Sequence, residues 1–417
     1  MPAMNGMFTL YSFYRRHKIL AIVLVMFLFV ALLAPLLASH LPLYAYYKGQ
    51  HCFPAFNPDG YVMMEGKKVF YQTINWKETD LPVIMAPVAW SPQMMDYANA
   101  DYVSPFARQV YYPDGVERPL PFLWRHHLGT DKLGRDVLAG LIHGLRSSLF
   151  TGLLAMLLAG FIALVAGSLS GYFGNEKLKM SRAALIAMLL AMPALWFYAV
   201  ELQRFSTHDC RLLKLSGTVL IMALTLAIFR LLAAGLSSVG FFRHKISIPA
   251  DRILTRLTEL ITAMPRLILI LTLGALFKPS LLSLAFIIGL TSWPEMARLL
   301  RSSIISLLHT GYVESARALG FSDLRIILHH LLPNAIGPML VALTFGISAT
   351  ILVESSLTFL GIGLPPETVS WGSLLARARE NFSAWWLALF PGLAIFCTVL
   401  LMNMTADAIQ RFHKPHP

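Results

Sequence analysis

Thr310-Gly-Tyr-Val-Glu-Ser-Ala-Arg-Ala-Leu-Gly320-Phe-Ser-Asp-Leu-Arg-Ile-Ile-Leu-His-His-Leu-Leu-Pro333-Asn334 lies between two apolar runs, Leu281 to about Leu300 and Met339 to about Thr358. Two short helices fit it. Tyr312, Ala316 and Leu319 share a face at i, i+4 and i+7. Glu314 falls in the first turn, where the helix dipole favours an anion, and Gly320 suits the left-handed residue that stops a helix. Ser322 then caps a second helix with Asp323 in its first turn, and Pro333 ends it. The result is a compact helix–turn–helix joining two apolar segments.

Outside this stretch the chain is mostly apolar. Of 417 residues, 56% are hydrophobic and 13% charged, with a mean hydropathy of +0.62. Soluble globules carry about 25% charge, so a soluble enzyme fits poorly. Runs of about 20 apolar residues cross the ~30 Å hydrocarbon core as helices. Eight runs read as spans: 19–38, 149–173, 183–200, 217–236, 264–277, 281 to about 300, 339 to about 358, and 385–404. The expected fold class is an all-α polytopic membrane protein.

Arg15, Arg16, His17 and Lys18 precede the first run and put residues 1–18 in the cytoplasm. Leu36 spoils a small-x-small cleavage site ending at Ala38, so 19–38 reads as an uncleaved anchor. The cytoplasmic segments then hold Lys177, Lys179, Arg182, Arg252, Arg317 and Arg325, as the positive-inside rule requires, and the tail 411–417 is cytoplasmic as well. The helix pair faces the same side. The formal net charge is +12, yet residues 40–147 carry ten Lys/Arg and ten Asp/Glu. The positive charge is therefore largely a topology signal, and nucleic-acid binding loses its main support.

The outer segment 39–147 holds nine of the fourteen tyrosines and ten of the twenty-four prolines. Turn-like stretches such as Asn57-Pro58-Asp59-Gly60 suggest an irregular, partly β extracytoplasmic domain. Cys52 and Cys210 both fall outside in this topology, where a disulfide persists if it forms; unpaired thiols are the plainer reading. No phosphate-cradling G-x-x-x-x-G-K-[ST] loop occurs, nor an H-E-x-x-H or G-x-S-x-G motif, so no catalytic or metal site is expected. Any energy for work comes from another chain.

The spacing Glu314-x-Ala316, three residues, Gly320, nine residues, His330-Leu-Leu-Pro333-Asn334 resembles the EAA loop of ABC-transporter permeases. The H-x-L-P-N ending is similar to that of the dipeptide/oligopeptide permease family. Ser315 departs from it, standing where the family usually has the first of two alanines. The resemblance implies an ABC importer permease fold in which loop 310–334 couples to an ATPase, with Glu314, Ala316, Gly320, His330, Pro333 and Asn334 at the contact.

Leu128-Gly129-Thr130-Asp131-Lys-Leu-Gly134-Arg135-Asp136, with Arg146 beyond, is similar to the L-G-T-D-x-x-G-R-D segment of that family's C-type subunit. Gly140 stands where arginine is usual. From the residues themselves, Asp131 and Asp136 offer caps and Arg135 an ion-pair partner. Residues 136–148 are thus expected as an amphipathic helix on the outer surface, ahead of a span over 148–174. Glu354-Ser-Ser356-Leu-Thr358-Phe359-Leu-Gly361-Ile-Gly363, followed by Ser370-Trp371-Gly372, is similar to the family's E-A-S-L-S-F-L-G-x-G…S-W-G run, with Thr358 replacing a serine. A carboxylate near the end of an apolar helix is costly unless it faces water or a partner. Glu354, with Ser356 and Phe359 beside it, reads either as part of the translocation path or outer gate, or as a buried hydrogen bond between helices. Gly361 and Gly363 permit a sharp turn, and Trp371 is expected to anchor near the interface.

The resemblance covers about 19–38, 128–174 and the permease core 251–410, and it fails over 175–250. There 76 residues with two apolar runs separate Gly171-Tyr-Phe-Gly174 from Asp251. A pair of inserted spans preserves the sidedness of everything after it and puts 201–216 outside. The family's partners are a second permease chain in a heterodimer, two ATPase subunits or one fused ATPase, and a soluble substrate-binding protein. Its setting is the lipid of a bacterial inner membrane, and no cofactor is implied. Peptides are the implied cargo; relatives carry nickel complexes or oligosaccharides. The rival class is an ion-coupled secondary transporter, against which stand the missing internal repeat and a helix pair without a purpose.

Overall fold

The computed structural model describes residues 18–47, 50–64, 67–77, 82–112, 115–177, 179–196, 211–236, 240–365 and 367–413. An apolar helix α1 (Lys18–Leu32) leads into the outer segment. There β1 (Tyr44–Tyr47), β2 (Gln50–Cys52) and β5 (Val83–Ile84) form a small sheet in the order β2-β1-β5. The hairpins β3 (Tyr61–Met64) with β4 (Lys67–Phe70) and β6 (Val110–Tyr111) with β7 (Arg118–Pro119) complete an irregular, partly β region. Cys52 is a buried free thiol; Cys210, the partner considered for it, lies outside the described residues.

Helix α2 (Val137–Phe173) organises the bundle. Its 37 residues make a rod of about 55 Å. The expected separate surface helix over 136–148 is therefore not an element of its own, because nothing breaks the helix before Leu149. Small residues recur along α2 at Gly140, Gly144, Ser148, Gly152, Gly160 and Gly167, all buried. Such a stripe lets backbones approach where apolar lipid supplies no hydrophobic drive.

After α2 come β8 (Lys179–Ser181), α3 (Arg182–Trp196), α4 (Arg211–Leu236) and β9 (Lys245–Ser247), then α5 (Ala250–Thr262), α6 (Arg266–Leu276) and α7 (Leu281–Leu307). Helix α7 runs parallel to α2, with Gly289 beside Ala155, Gly167 beside Ala297 and Gly171 beside Ile304. The remaining helices are α8 (Gly311–Ala318), α9 (Gly337–Phe359), α10 (Trp371–Ala378) and α11 (Trp386–His413). Helix α9 runs back antiparallel to α2, pairing Gly160 with Leu343, Gly152 with Ile347, and Ser148 with Glu354. The helix pair and the outer segment consequently sit at opposite ends of the bundle.

Among the described residues, three helices are long and apolar enough to cross a membrane: α2, α9 and α11. A fourth span results if α5 and α6 count together, although they meet at 86°. The run 264–277 expected as a straight span is instead the 11-residue α6, about 16 Å long. Pro265 causes the break, since it has no N–H to give and pushes Met264 away from helical geometry.

The insert leaves and rejoins the bundle at one point. The Gly174 carbonyl accepts the Asp251 N–H at 3.2 Å, and Asn175 Oδ1 accepts the Arg252 N–H at 3.0 Å. Beyond this junction β8 and β9 pair antiparallel, with Lys179 opposite Ser247, and α3 packs against α4. Both ends of the helical hairpin thus return to the same end of the bundle, whatever lies in 197–210, outside the described residues. Excising 176–249 and joining Asn175 to Ala250 through two glycines should leave a folded, monodisperse membrane protein. Aggregation of that variant would mean that the hairpin supports the bundle.

Candidate functional site

At the inner end, Val313 and Ala316 are the buried residues of α8. The face expected to unite Tyr312, Ala316 and Leu319 is split: Tyr312 is 41% and Leu319 72% exposed. The i, i+3 pair Val313 and Ala316 does the packing instead. Gly320 has φ +75°. Its N–H donates to the Arg317 carbonyl at 2.9 Å and that of Phe321 to the Ala316 carbonyl at 3.2 Å, a Schellman stop. Space around Gly320 is open, so the backbone angle alone asks for glycine there.

Ser322 stands at the next N-cap without a side-chain hydrogen bond. The adjoining Asp323 carboxylate instead accepts the Tyr172 hydroxyl at 2.5 Å, and the Arg317 guanidinium lies 5.7 Å from the Tyr172 ring. These contacts fasten the pair to the end of α2. Pro333 does not end the second helix. A short helical turn over 323–325 widens through 326–331, where the Leu332 N–H reaches the Ile327 carbonyl, and the chain then continues helically toward α9. The wide turn accommodates a proline that would collide with a regular helix. His330 stacks on Phe321 at 5.9 Å, Arg325 sits 4.3 Å from the same ring, and Asn334 Nδ2 donates to the His330 carbonyl at 2.8 Å. Glu314, Leu324 and Leu328 point outward beside Tyr312 and Leu319, a mixed charged and apolar surface. Arg301 grips Asp251 through two hydrogen bonds and ties α5 to α7 beneath the pair.

At the outer end, the segment Gly129–Asp136 is a joint. Thr130 Oγ1 donates to the Asn99 carbonyl at 2.8 Å and accepts the Val103 N–H, and its own carbonyl accepts the Trp386 indole N–H at 3.0 Å. Asp131 is not a helix cap. It is buried and accepts from the Leu133 and Arg135 N–H groups, from Arg135 Nε at 2.9 Å and from Arg377 Nη1 at 3.1 Å. Asp136 does cap α2, accepting the Ala139 N–H at 2.6 Å. Gly134, with φ +75°, lies against the Asp96 backbone. Arg146 is exposed on α2. The space an arginine would need at position 140 is taken by Leu374 of α10.

Glu354 is fully buried. Its carboxylate accepts from Ser148 Oγ at 2.9 Å and from Thr358 Oγ1 at 3.1 Å. In this chain it is an interhelical hydrogen-bond centre and lines no opening. Trp371 likewise anchors no surface: it is 1% exposed, packs on Gly144, and donates its indole N–H to the Leu141 carbonyl at 3.0 Å. Ser356 and Phe359 do share an apolar cleft with Leu352, Leu375 and Ile395. Gly361, φ +83°, makes a second Schellman stop through Ile362 N–H to the Leu357 carbonyl, and Gly363 closes on Thr358.

The sequence reading missed Arg377, Trp386, Arg301 and His126. All four are polar or aromatic groups whose partners lie far along the chain, and only the scarcity of charge in an apolar sequence marked the arginines. The family of binding-protein-dependent transport system inner membrane components matches residues 237–416. That match covers less than half of the chain, which is similar to this permease family over its C-terminal part. A peptide transport system permease protein described as putative, from Brucella suis, is 44% identical over 168 residues, covering 40% of this chain and 56% of the relative. The chain thus spans just over half the length of that relative. A di/tripeptide transport system permease of Pseudomonas aeruginosa is 27% identical over 316 residues, 75% of this chain and 80% of the relative. A glutathione transport system permease of Pectobacterium atrosepticum is 26% identical over 329 residues, 79% and 82%.

His126 holds the joint around 129–136 together. It is completely buried, stacks on Trp90 at 4.3 Å, and lies between Asp136 at 2.9 Å and Asp96 at 3.4 Å. Burial opposes its charge, but hydrogen bonds and charge from Asp136 and Asp96 outweigh it and raise the imidazole above its ordinary 6.5. A histidine raised by folding contributes stability that is complete below its unfolded value and is lost as pH rises through the folded one. The thermal midpoint in lipid nanodiscs should therefore fall as pH rises above the ordinary 6.5, and His126→Gln should flatten that slope. An unchanged slope in the variant would assign the pH dependence to another group.

Proposed function

We propose that the chain is a transmembrane subunit of an ATP-driven importer that moves di- and oligopeptides across a bacterial inner membrane. The observation that carries this reading is the helix pair. It is bolted to α2 through Tyr172 and Asp323, yet it turns Tyr312, Glu314, Leu319, Leu324 and Leu328 away from its own chain. A surface that is rigidly backed and left uncovered is built to receive a partner, and the absence of a nucleotide-binding loop from the sequence makes a separate ATPase the fitting one. The peptide and glutathione relatives support the cargo class. A second permease chain and a soluble binding protein complete the assembly, ATP being hydrolysed on the ATPase and not on this chain.

In this reading Glu314 and Gly320 transmit the ATPase cycle. Gly320→Val forces a β-branched residue into the left-handed stop, at a cost of roughly 1 kcal/mol or more, and adds bulk at the contact. Glu314→Ala removes a charged anchor. Both variants should co-purify with less ATPase or lose stimulation of hydrolysis by the loaded binding protein, and uptake should fall while the binding protein's own affinity stays the same. Normal assembly, uptake and stimulated hydrolysis in both would reduce the pair to a connector.

The helix pair and both termini are cytoplasmic in this proposal, and the hairpin tip is extracytoplasmic. A cysteine at Thr207, in a background lacking Cys52, Cys210 and Cys397, should react with an impermeant maleimide in intact cells. Reaction only after the membrane is opened would reverse that assignment.

A further inference from the structure

A cavity of about 690 Å³ occupies the half of the bundle next to the helix pair, bounded by α2, α6, α7, α9 and α11. Its walls are apolar at Met296, Val341 and Phe345, and it also receives Arg266 and Glu295. Arg266 starts α6 and donates to the neutral Ser292 Oγ at 2.6 Å, which leaves its other guanidinium donors available. Glu295 projects near the middle of the 27-residue α7. Charged side chains that face a cavity between apolar helices mark a water-filled path or a binding site. One of each sign in one cavity is unusual in a chain with 13% charged residues.

We propose that this cavity is a transit site for short peptides, in which Arg266 receives the terminal carboxylate and Glu295 the terminal ammonium. The inference rests on the peptide-importer reading and adds the residues that recognise the cargo. A guanidinium matches a carboxylate in two parallel hydrogen bonds, whereas a carboxylate has acceptors only, as an ammonium requires. The volume is within the range of small-molecule pockets, roughly 300–1,000 Å³. Ser292 and Gln410 are the other polar side chains on a largely apolar wall, which tolerates varied side chains, so recognition falls on the two termini that all peptides share. A neutral sugar would engage neither charge, and a metal cation would meet the arginine.

The test uses the assembled importer in nanodiscs without its binding protein. Cys52, Cys210 and Cys397 are replaced by serine, and Ala342, on the cavity wall, is changed to cysteine. Dialanine should slow alkylation of that cysteine by N-ethylmaleimide, while dialanine amide and N-acetyldialanine should need about tenfold more, a difference of about 1.4 kcal/mol. Arg266→Gln should raise the half-protecting dialanine concentration and erase the distinction from the amide, and Arg266→Lys should restore part of it. Glu295→Gln should do the same for the acetylated peptide. Equal protection by all three peptides, or none in a complex that imports dialanine with its binding protein, overturns the site and leaves the importer reading standing. A complex that imports no peptide overturns that reading and the site with it.

Discussion

Close backbone approach along α2 is the constraint on which the other contacts rest. Between apolar helices in lipid, attraction comes from packing and hydrogen bonds, and both need short distances. A Cβ on Gly289 would come within 2.7 Å of the Ala155 carbonyl oxygen, and one on Gly167 within 2.9 Å of that of Ala297. With α7 seated on that stripe, Tyr172 comes within reach of Asp323 at one end. At the other, Ser148 meets Glu354, and Gly140 and Gly144 receive Leu374 and Trp371. A side chain of ordinary size on the stripe would separate the helices and leave Glu354 buried without its donor, which costs more than the packing alone.

Several carboxylates buried in or beside the bundle are paired with donors. Asp131 collects two arginines and two backbone N–H groups, Glu354 two hydroxyls, and Asp251 the fork of Arg301. Arg266 and Glu295 instead line a cavity. The two Schellman stops at Gly320 and Gly361 mark the ends of the core, each turning the chain out of a helix and into a functional loop.

Much of this was readable in the sequence, for reasons that differ by element. Gly320 and Gly361 were readable because a left-handed stop selects glycine locally. Asp136 was readable as a cap for the same kind of reason. Asp131 looked like a cap because its real partners, Arg377 and the 133–135 backbone, include a residue far along the chain. Trp371 looked like an interface group, and Glu354 was left open between pathway and buried hydrogen bond, because residue type suggests a preference for water while burial depends on neighbours that only the fold assembles. The straight span over 264–277 failed because apolar composition does not register what Pro265 does to a helix. Spacing suggested an insert over 175–250, and nothing in its sequence foretold the β8–β9 clasp. That clasp also explains why so many residues fit there: loop-closure entropy rises only slowly with length once the two ends are held together.

The continuity of α2 has a mechanical consequence. Its outer tip is clamped by the Asp136 cap and its inner tip by Tyr172 against Asp323. A rigid rod of about 55 Å between two clamps acts as a lever. A tilt of about 5° about one tip would carry the other through roughly 5 Å, close to one helical turn. Because the helix has no proline or wide turn to absorb strain, displacement at the helix pair would reach the outer segment as motion and not be lost as bending along the way.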